Sequence, residues 1–228
     1  SDHAAAYSAF TGRRLDLFDR ESLRLAARRH MIATDNFFRA VDYGDTGLSM
    51  RPGGVERLPV IFTAQHDDPA LQWFAQACFV RQRNYLPGPL DGFTDLRRSD
   101  RGPAPQAGRW ELLPLDPKFA ATEAPGFPHT FTFDKLAFRS RWEDDGHYLL
   151  FEGVGNQNVS HSHNNVNGIV RLNHLGRHLL VSNGYGRTVA NPSSFGARVR
   201  GPEDHNNLVL RRGGHTVREL PVCSALLQ

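Results

Sequence analysis

The chain has little cysteine and no long apolar run. Its two cysteines among 228 residues, Cys78 and Cys223, lie far apart without C-x-x-C spacing, which argues against a disulfide scaffold and leaves the compartment open. With 39% hydrophobic residues, the chain can bury a sizeable core without disulfides. No apolar run approaches the roughly 20 residues of a membrane-spanning helix, so we expect no membrane span. Ser1 to Phe10 also lack the charged and then apolar layout of a signal peptide.

Helix signals come first along the chain. From Ser22, the segment SLRLAARRHMIAT repeats apolar residues at helical spacing and predicts a helix that ends near Asp35. Asp68 can cap a second helix, in which Pro69 takes the first position and ALQWFAQACFVRQR follows. The next stretch is dense in Pro and Gly, which indicates a long connection.

Strand signals dominate the remainder. The segments are separated by Gly, Asn and Asp turns, and they read TFTF, LAFRSRW, HYLLFEG, VNGIVRL, HLLVSN, NLVLRR and HTVREL. Asn173 to Gly176 predict a hairpin turn between two of them. The sequence therefore predicts an α+β fold, with a short helical part over 1–84, a Pro/Gly-rich connection over 85–128 and an incomplete antiparallel β-sandwich over 129–228.

The segment around His161 is the most informative in the chain. His161 and His163 form an H-x-H step, and on a strand side chains two residues apart project from one face, so both can meet one ligand. Amides follow at Asn164 and Asn165, and a third histidine, His205, lies just before the segment LVLRR. Histidine serves as acid, base and metal ligand, but also as an ordinary hydrogen-bonded residue.

These blocks, taken together, resemble the C-terminal β-domain of the heparinase II/III-like polysaccharide lyases. The resemblance covers about Phe133 to Gly213, and its blocks are Leu136–Trp142, His147–Gly153, H-S-H-N-N, LLVSNGYG and Asp204–Asn207. The corresponding family blocks read approximately as an Arg-Ser strand, a strand ending in Gly, H-x-H-x-D, a strand ending in Asp-Pro-Gly, and H-N-T. The resemblance weakens toward the N-terminus.

The resemblance implies an α/α toroid followed by a β-sandwich, with the active site in the cleft between them. The helices here would then be the remnant or end of a toroid, and we expect further toroid segments or a homo-oligomer to complete the cleft. It also implies β-elimination on a uronic-acid-containing polysaccharide by a periplasmic or secreted protein. The expected partner is an acidic polysaccharide or oligosaccharide, and not nucleic acid. The formal net charge of +3 suits such a ligand, although ordinary basic surfaces also produce it.

Roles for individual residues follow from the same resemblance. His161 matches the family's cleft histidine, and Tyr7 is a candidate for the tyrosine base that the toroid supplies. His163 and His205 match zinc ligands, and the remaining ligand position reads Ser182 or Asn183 where the family has Asp. Residues predicted to bind the sugar acid are Arg139, Arg141, Asn164 and Asn206.

The departures from the family pattern leave alternatives open. Asn165 and Ser182 or Asn183 replace acids, and neutral oxygens bind zinc more weakly than carboxylates. Zinc would then have a structural role, or His163, Asn183 and His205 would form a hydrogen-bonded cluster without metal. A noncatalytic or degenerate carbohydrate-binding domain is the main alternative function. A cupin-like oxygenase fits less well, because Asn167 to His174 contain no glutamate.

Overall fold

A computed structural model describes several stretches of the chain. They are residues 9–12, 21–41, 68–82, 103–115, 132–154, 168–181, 206, 211–216 and 224–226. Among these stretches, no helix is long and apolar enough to cross a membrane.

Two long helices confirm the predictions from the N-terminal third. Helix α1 spans Glu21–Ile32 and helix α2 spans Pro69–Gln82. One carboxylate oxygen of Asp68 accepts hydrogen bonds from the backbone N–H groups of Ala70 and Leu71, at 3.1 and 3.0 Å. The start of α2 is therefore capped as its sequence predicts.

Antiparallel strands form the rest of the described fold. Their bounds are β1 Arg109–Pro114, β2 Thr132–Arg139, β3 Tyr148–Glu152, β4 Ile169–His174, β5 Arg177–Val181, β6 Arg211–Arg212, β7 His215–Thr216 and β8 Ser224–Ala225. A six-stranded sheet has the order β1-β2-β3-β4-β5 with β8 beside β2, and β6 pairs with β7 in a separate ribbon. The α+β class with an antiparallel sheet is thus confirmed.

Two boundaries differ from the sequence prediction. Strand β1 lies inside the predicted connection 85–128, because its alternating residues pair as an edge strand along β2 although Pro and Gly surround them. Strand β2 joins the predicted TFTF and LAFRSRW segments and ends at Arg139. Asp134 and Lys135, which lie between these two segments, are residue types that are common in turns. Lys135 is nevertheless buried within the strand, where it forms an ion pair with Glu152.

The turn between β4 and β5 confirms the predicted hairpin. Leu175 and Gly176 both have positive φ, 47° and 75°, which is the backbone geometry that matches the twist of a tight hairpin. Gly176 adopts it at little cost, whereas a leucine with positive φ is strained.

Two neighbouring cross-strand rows, one on each face of the sheet, differ in chemistry. One cross-strand row on the first face is apolar throughout, and it consists of Trp110, Phe138, Leu149, Leu172 and Leu180. The adjacent row projects from the opposite face and is mostly polar: Arg139, Tyr148, Asn173 and His178. Residues 33–41, here called the α1 loop, meet this polar row.

The core joins the helices to this second face of the sheet. One buried cluster combines the end of α1 and the α1 loop with the sheet, through Ile32, Ala33, Val41, Leu113, Ala137, Tyr148, Leu150 and Val170. A second cluster packs α1 and α2 against Trp142, just beyond β2. The helical part and the sheet therefore share a hydrophobic core.

Candidate functional site

Most of the residues predicted to act in catalysis or metal binding lie outside the described residues. They are Tyr7, His161, His163, Asn164, Ser182, Asn183 and His205. Their roles stay predictions. The structure describes the other three predicted site residues, Arg139, Arg141 and Asn206, and each has a different environment.

Arg139 lies in the interior. Its guanidinium donates hydrogen bonds to the side-chain oxygen of Asn36 and to the backbone carbonyl of Thr34, both in the α1 loop. It also lies 3.8 Å from the ring centre of Trp142 and 4.6 Å from that of Tyr148. The side chain therefore joins β2 to the α1 loop, which gives Arg139 a structural role whatever else it binds.

Arg141 lies beyond the end of β2 and is exposed. Its guanidinium pairs with both carboxylate oxygens of Asp145, at 3.1 and 2.6 Å, within the turn that leads to β3. Strand β2 ends at Arg139, so the two arginines do not share one face of a strand. Only Arg141 presents its charge to solvent.

Asn206 connects the first residue of β4 with the last residue of β5. Its side-chain N–H groups donate to the backbone carbonyls of Ile169 and Val181, at 3.2 and 3.1 Å. The backbone N–H of Ile169 donates in turn to the carbonyl of Asn206, at 3.4 Å. Asn206, 25 or more positions further along the chain, therefore joins the two open ends of the β4–β5 hairpin.

The α1 loop and the polar row of the sheet enclose a group of charged and polar side chains, here called the His178 cluster. Its members are Asp35, Arg39, Arg171, Asn173 and His178. Asp35 and Asn173 are fully buried and Arg171 is almost so, while Arg39 and His178 are partly buried. Burial of so many polar groups needs a compensating set of contacts.

Asp35 holds the α1 loop in shape and faces the sheet. Its Oδ1 accepts hydrogen bonds from the backbone N–H groups of Phe37 and Arg39, at 2.9 and 3.0 Å. Its Oδ2 lies 3.9 Å from Nη1 of Arg171 and 3.8 Å from Nδ1 of His178. The carboxylate of Asp35 thus connects the α1 loop to strands β4 and β5.

His178 has contacts at both ring nitrogens. Nδ1 lies 2.7 Å from Oδ1 of Asn173 and 3.2 Å from Nη1 of Arg171, and Nε2 lies 3.2 Å from Nη1 of Arg39. A neutral ring with its proton on Nδ1 donates to Asn173 and accepts from Arg39, whereas a proton on Nε2 would leave Nδ1 to accept from Arg171. Burial, helped by the guanidinium of Arg171, lowers the pKa of His178, while Asp35 opposes this shift.

Several buried atoms of the cluster form no hydrogen bond within the described part of the chain. They include Nε of Arg39, Nδ2 of Asn173 and Oδ2 of Asp35, although this last atom lies within 4 Å of Arg171 and His178. Buried polar atoms are normally hydrogen-bonded, because an unsatisfied one costs about 1–3 kcal/mol. The His178 cluster therefore carries one acceptor and two donors that a ligand or water would satisfy.

A second buried ionic group lies farther along the sheet. Nζ of Lys135 contacts carboxylate oxygens of Glu152 and Asp134, at 2.6 and 2.7 Å. Burial nevertheless raises the pKa of Glu152 to about 7, because the loss of hydration outweighs the attraction of Lys135.

The sequence offered only a weak signal for the His178 cluster. Arg171 and Asn173 interrupt an otherwise apolar strand on the face that turns inward, which is the pattern of buried polar residues that need partners. Their partner loop lies far away in sequence, since Arg39 and His178 are 139 positions apart. Strand periodicity alone does not reveal such a contact.

Among the side chains that the structure describes, no group of three or more His, Cys, Asp and Glu residues could hold a metal ion. Two exposed histidines, His147 just before β3 and His174 at the end of β4, stack with their ring centres 4.5 Å apart.

Comparison with known proteins gives no match to a family model, a curated protein or a solved structure. The resemblance to the polysaccharide lyases therefore depends on the sequence motifs themselves.

Proposed function

We propose that the protein is a polysaccharide lyase that cleaves a uronic-acid-containing glycan by β-elimination. The observation that carries the proposal is the junction of Ile169, Val181 and Asn206. Each of these residues borders one motif of the resemblance.

The junction supports the proposal through chain connectivity. His205 is bonded to Asn206 and Ser182 is bonded to Val181, and the segment with His161 and His163 leads into Ile169. If the protein is a lyase, we expect the motifs with His161, Ser182 and His205 to contribute to one site, because catalysis and substrate binding must occur at the same place.

The reaction assigns three tasks to this site. A cation or amide donor binds the uronate carboxylate, a base removes the proton from C5, and an acid protonates O4 as the C4–O4 bond breaks and the C4–C5 double bond forms. We assign the proton transfers to His161 and Tyr7, and carboxylate binding to Arg141 and Asn164, while Asn206, whose side-chain N–H groups donate to Ile169 and Val181, would hold the strands beside the site. Arg139 would act by holding the α1 loop.

In this proposal zinc would have a structural role and no catalytic one. His163 and His205 would hold it together with an oxygen of Ser182 or Asn183, and this donor set lacks the anionic ligand of the zinc-bearing family members. No step of the reaction passes through the ion. Metal analysis of the purified protein, with and without substitution of His205 by Ala, tests this assignment.

The finer architecture belongs to the same proposal. A β-sandwich needs a second layer over the apolar row of the sheet, and that row is continuous from Trp110 to Leu180. We propose that this face is the inner face of the sandwich, that the helices are the end of a toroid, and that the protein works in the periplasm or outside the cell.

The test is incubation with heparan sulfate, alginate and related uronans, followed by absorbance at about 230 nm, where the unsaturated uronate formed by elimination absorbs. Activity should fall at least about a hundredfold in His161→Ala, as for the loss of a general acid or base, and remain in the control His215→Ala on β7. Saturated ends, or cleavage of neutral glycans alone, would exclude elimination.

A noncatalytic carbohydrate-binding domain is the second candidate. It is favoured by Trp110, which is 52% exposed and lies over Phe138 and Phe151 with ring centres 5.3 and 6.3 Å apart. An exposed aromatic ring on a sheet can stack on a sugar. Binding of a uronan that is lost in Trp110→Ala, without any product at 230 nm, would support this candidate.

A further inference from the structure

None of the charged and polar residues of the His178 cluster has a role in the proposed reaction. We infer that it is a binding site for a hydroxy acid, in which Arg39 and Asn173 bind a carboxylate and Asp35 accepts a hydrogen bond from a neighbouring hydroxyl. The identification of this hydroxy acid as a uronic acid residue rests on the proposed function, whereas the class of ligand does not.

The carboxylate is inferred from the donors. Nε of Arg39 and Nδ2 of Asn173 are buried N–H donors without an acceptor in the described part of the chain. Arg39 also forms no ion pair with a carboxylate there, since its contacts are with Nε2 of His178 and the ring of Phe37. A partly buried guanidinium without a counter-ion favours an anion, and charge-assisted hydrogen bonds to a carboxylate are among the strongest available.

The hydroxyl is inferred from the acceptor. Oδ2 of Asp35 is fully buried and accepts no hydrogen bond from the described residues, although Oδ1 of the same carboxylate accepts two. A second anion would be repelled here, so the complementary ligand group is a neutral donor. Two donors and one acceptor within one cluster match a carboxylate that carries a nearby hydroxyl, as sugar acids do.

The ligand can enter at the ring of His178. About 17% of this side chain is exposed, which makes it a solvent-accessible part of an otherwise buried cluster. Arg39 covers Nε2 of the ring and is itself only partly buried, so its long side chain can move. Exchange of the contact between Arg39 and Nε2 for one with a carboxylate would stabilise the bound ligand and release Nε2 to accept a hydrogen bond.

The test is calorimetric titration of the whole protein with three small probes. D-glucuronate carries both groups, D-glucose lacks the carboxylate and cyclohexanecarboxylate lacks the hydroxyls. We expect glucuronate to bind at least about tenfold more tightly than either of the others. Equal affinity for glucose would overturn the assignment of the carboxylate, and absence of glucuronate binding would overturn the site and leave its unpaired atoms to water.

Substitutions in the His178 cluster test whether glucuronate binds there. Arg39→Gln should weaken glucuronate binding at least about tenfold, whereas Arg24→Gln, an exposed arginine paired with Glu21 on α1, should bind like the parent. Asp35→Asn keeps an acceptor for the loop and replaces Oδ2 by a donor, so it should abolish the preference for glucuronate over cyclohexanecarboxylate. Unaltered binding in Arg39→Gln, or an unaltered preference in Asp35→Asn, would overturn the inference.

The experiments can contradict the lyase function and the hydroxy-acid site independently of each other. If glucuronate binding depends on Arg39 but no uronan yields an unsaturated product, this inference stands and the lyase function is wrong. If uronans are cleaved but glucuronate binding is indifferent to Arg39, the lyase function stands and this inference is wrong. Circular dichroism of each variant confirms that it is folded before titration.

Discussion

The hydroxyl of Tyr148 donates a hydrogen bond of 2.6 Å to the backbone carbonyl of Ile32, across 116 positions of the chain. Ile32 is the last residue of α1, where carbonyl groups have no partner within the helix. Tyr148 is fully buried and starts β3. The hydrogen bond therefore ends the helix and fixes it to the sheet.

Substitution of Tyr148 by Phe should lower the free energy of unfolding by about 1–3 kcal/mol, because it leaves the buried carbonyl of Ile32 unsatisfied without changing the packed ring. Urea unfolding followed by circular dichroism measures the effect. A change within experimental error would show that water replaces the hydroxyl at this helix end.

Glu152 should make stability depend on pH. Its pKa in the folded protein is about 7, above the usual 4.5 of a glutamate, so the folded state holds the proton more tightly than the unfolded state between these values. The stabilisation is complete below about pH 4.5 and is lost as the pH rises through about 7, at about 1.4 kcal/mol per pH unit, or about 3 kcal/mol in all. Denaturant midpoints measured from pH 4.5 to 7.5 should show this loss in the parent and not in Glu152→Gln.

The two arginines near the end of β2 should respond differently to substitution by Gln. Arg139→Gln should destabilise the fold by about 3 kcal/mol, because it removes the buried donor to Asn36 and Thr34. Arg141→Gln should change stability by less than about 1 kcal/mol, since its pair with Asp145 is exposed. If Arg141 binds the sugar acid as proposed, its substitution should raise KM for a uronan, and an unchanged KM would remove it from the site.

The cap of α2 should be worth more than an exposed ion pair. Asp68→Ala removes the acceptor for two backbone N–H groups and should cost about 1 kcal/mol. Asp145→Ala, which breaks only the exposed pair with Arg141, is the matched control and should cost less. Equal thermal unfolding temperatures for the two variants would contradict the capping role.

The turn between β4 and β5 offers a stabilising substitution. Leu175 has a φ of 47° and is 61% exposed, so it strains the backbone and packs little. Leu175→Asn creates the Asn-Gly pair that such turns prefer and should raise the free energy of unfolding by about 0.5–1 kcal/mol. A lower unfolding temperature would mean that the leucine side chain packs better than its exposure indicates.

The sequence predicts those parts of the fold whose causes are local. Asp68 and Pro69 mark the start of α2 because capping involves adjacent residues, and Leu175 and Gly176 mark a hairpin because two short apolar segments flank them. The sequence does not predict β1, since its pairing with β2 depends on residues about twenty to thirty positions away. The same holds for the His178 cluster, whose partners in the α1 loop join it only once the helix lies on the sheet.

The common core of α1 and the sheet also bears on how the chain folds. Ile32 and Val41 pack with Leu150 and Val170, so loss of residues 21–41 would expose the second face of the sheet to water. The helices and the sheet should therefore fold together as one cooperative unit.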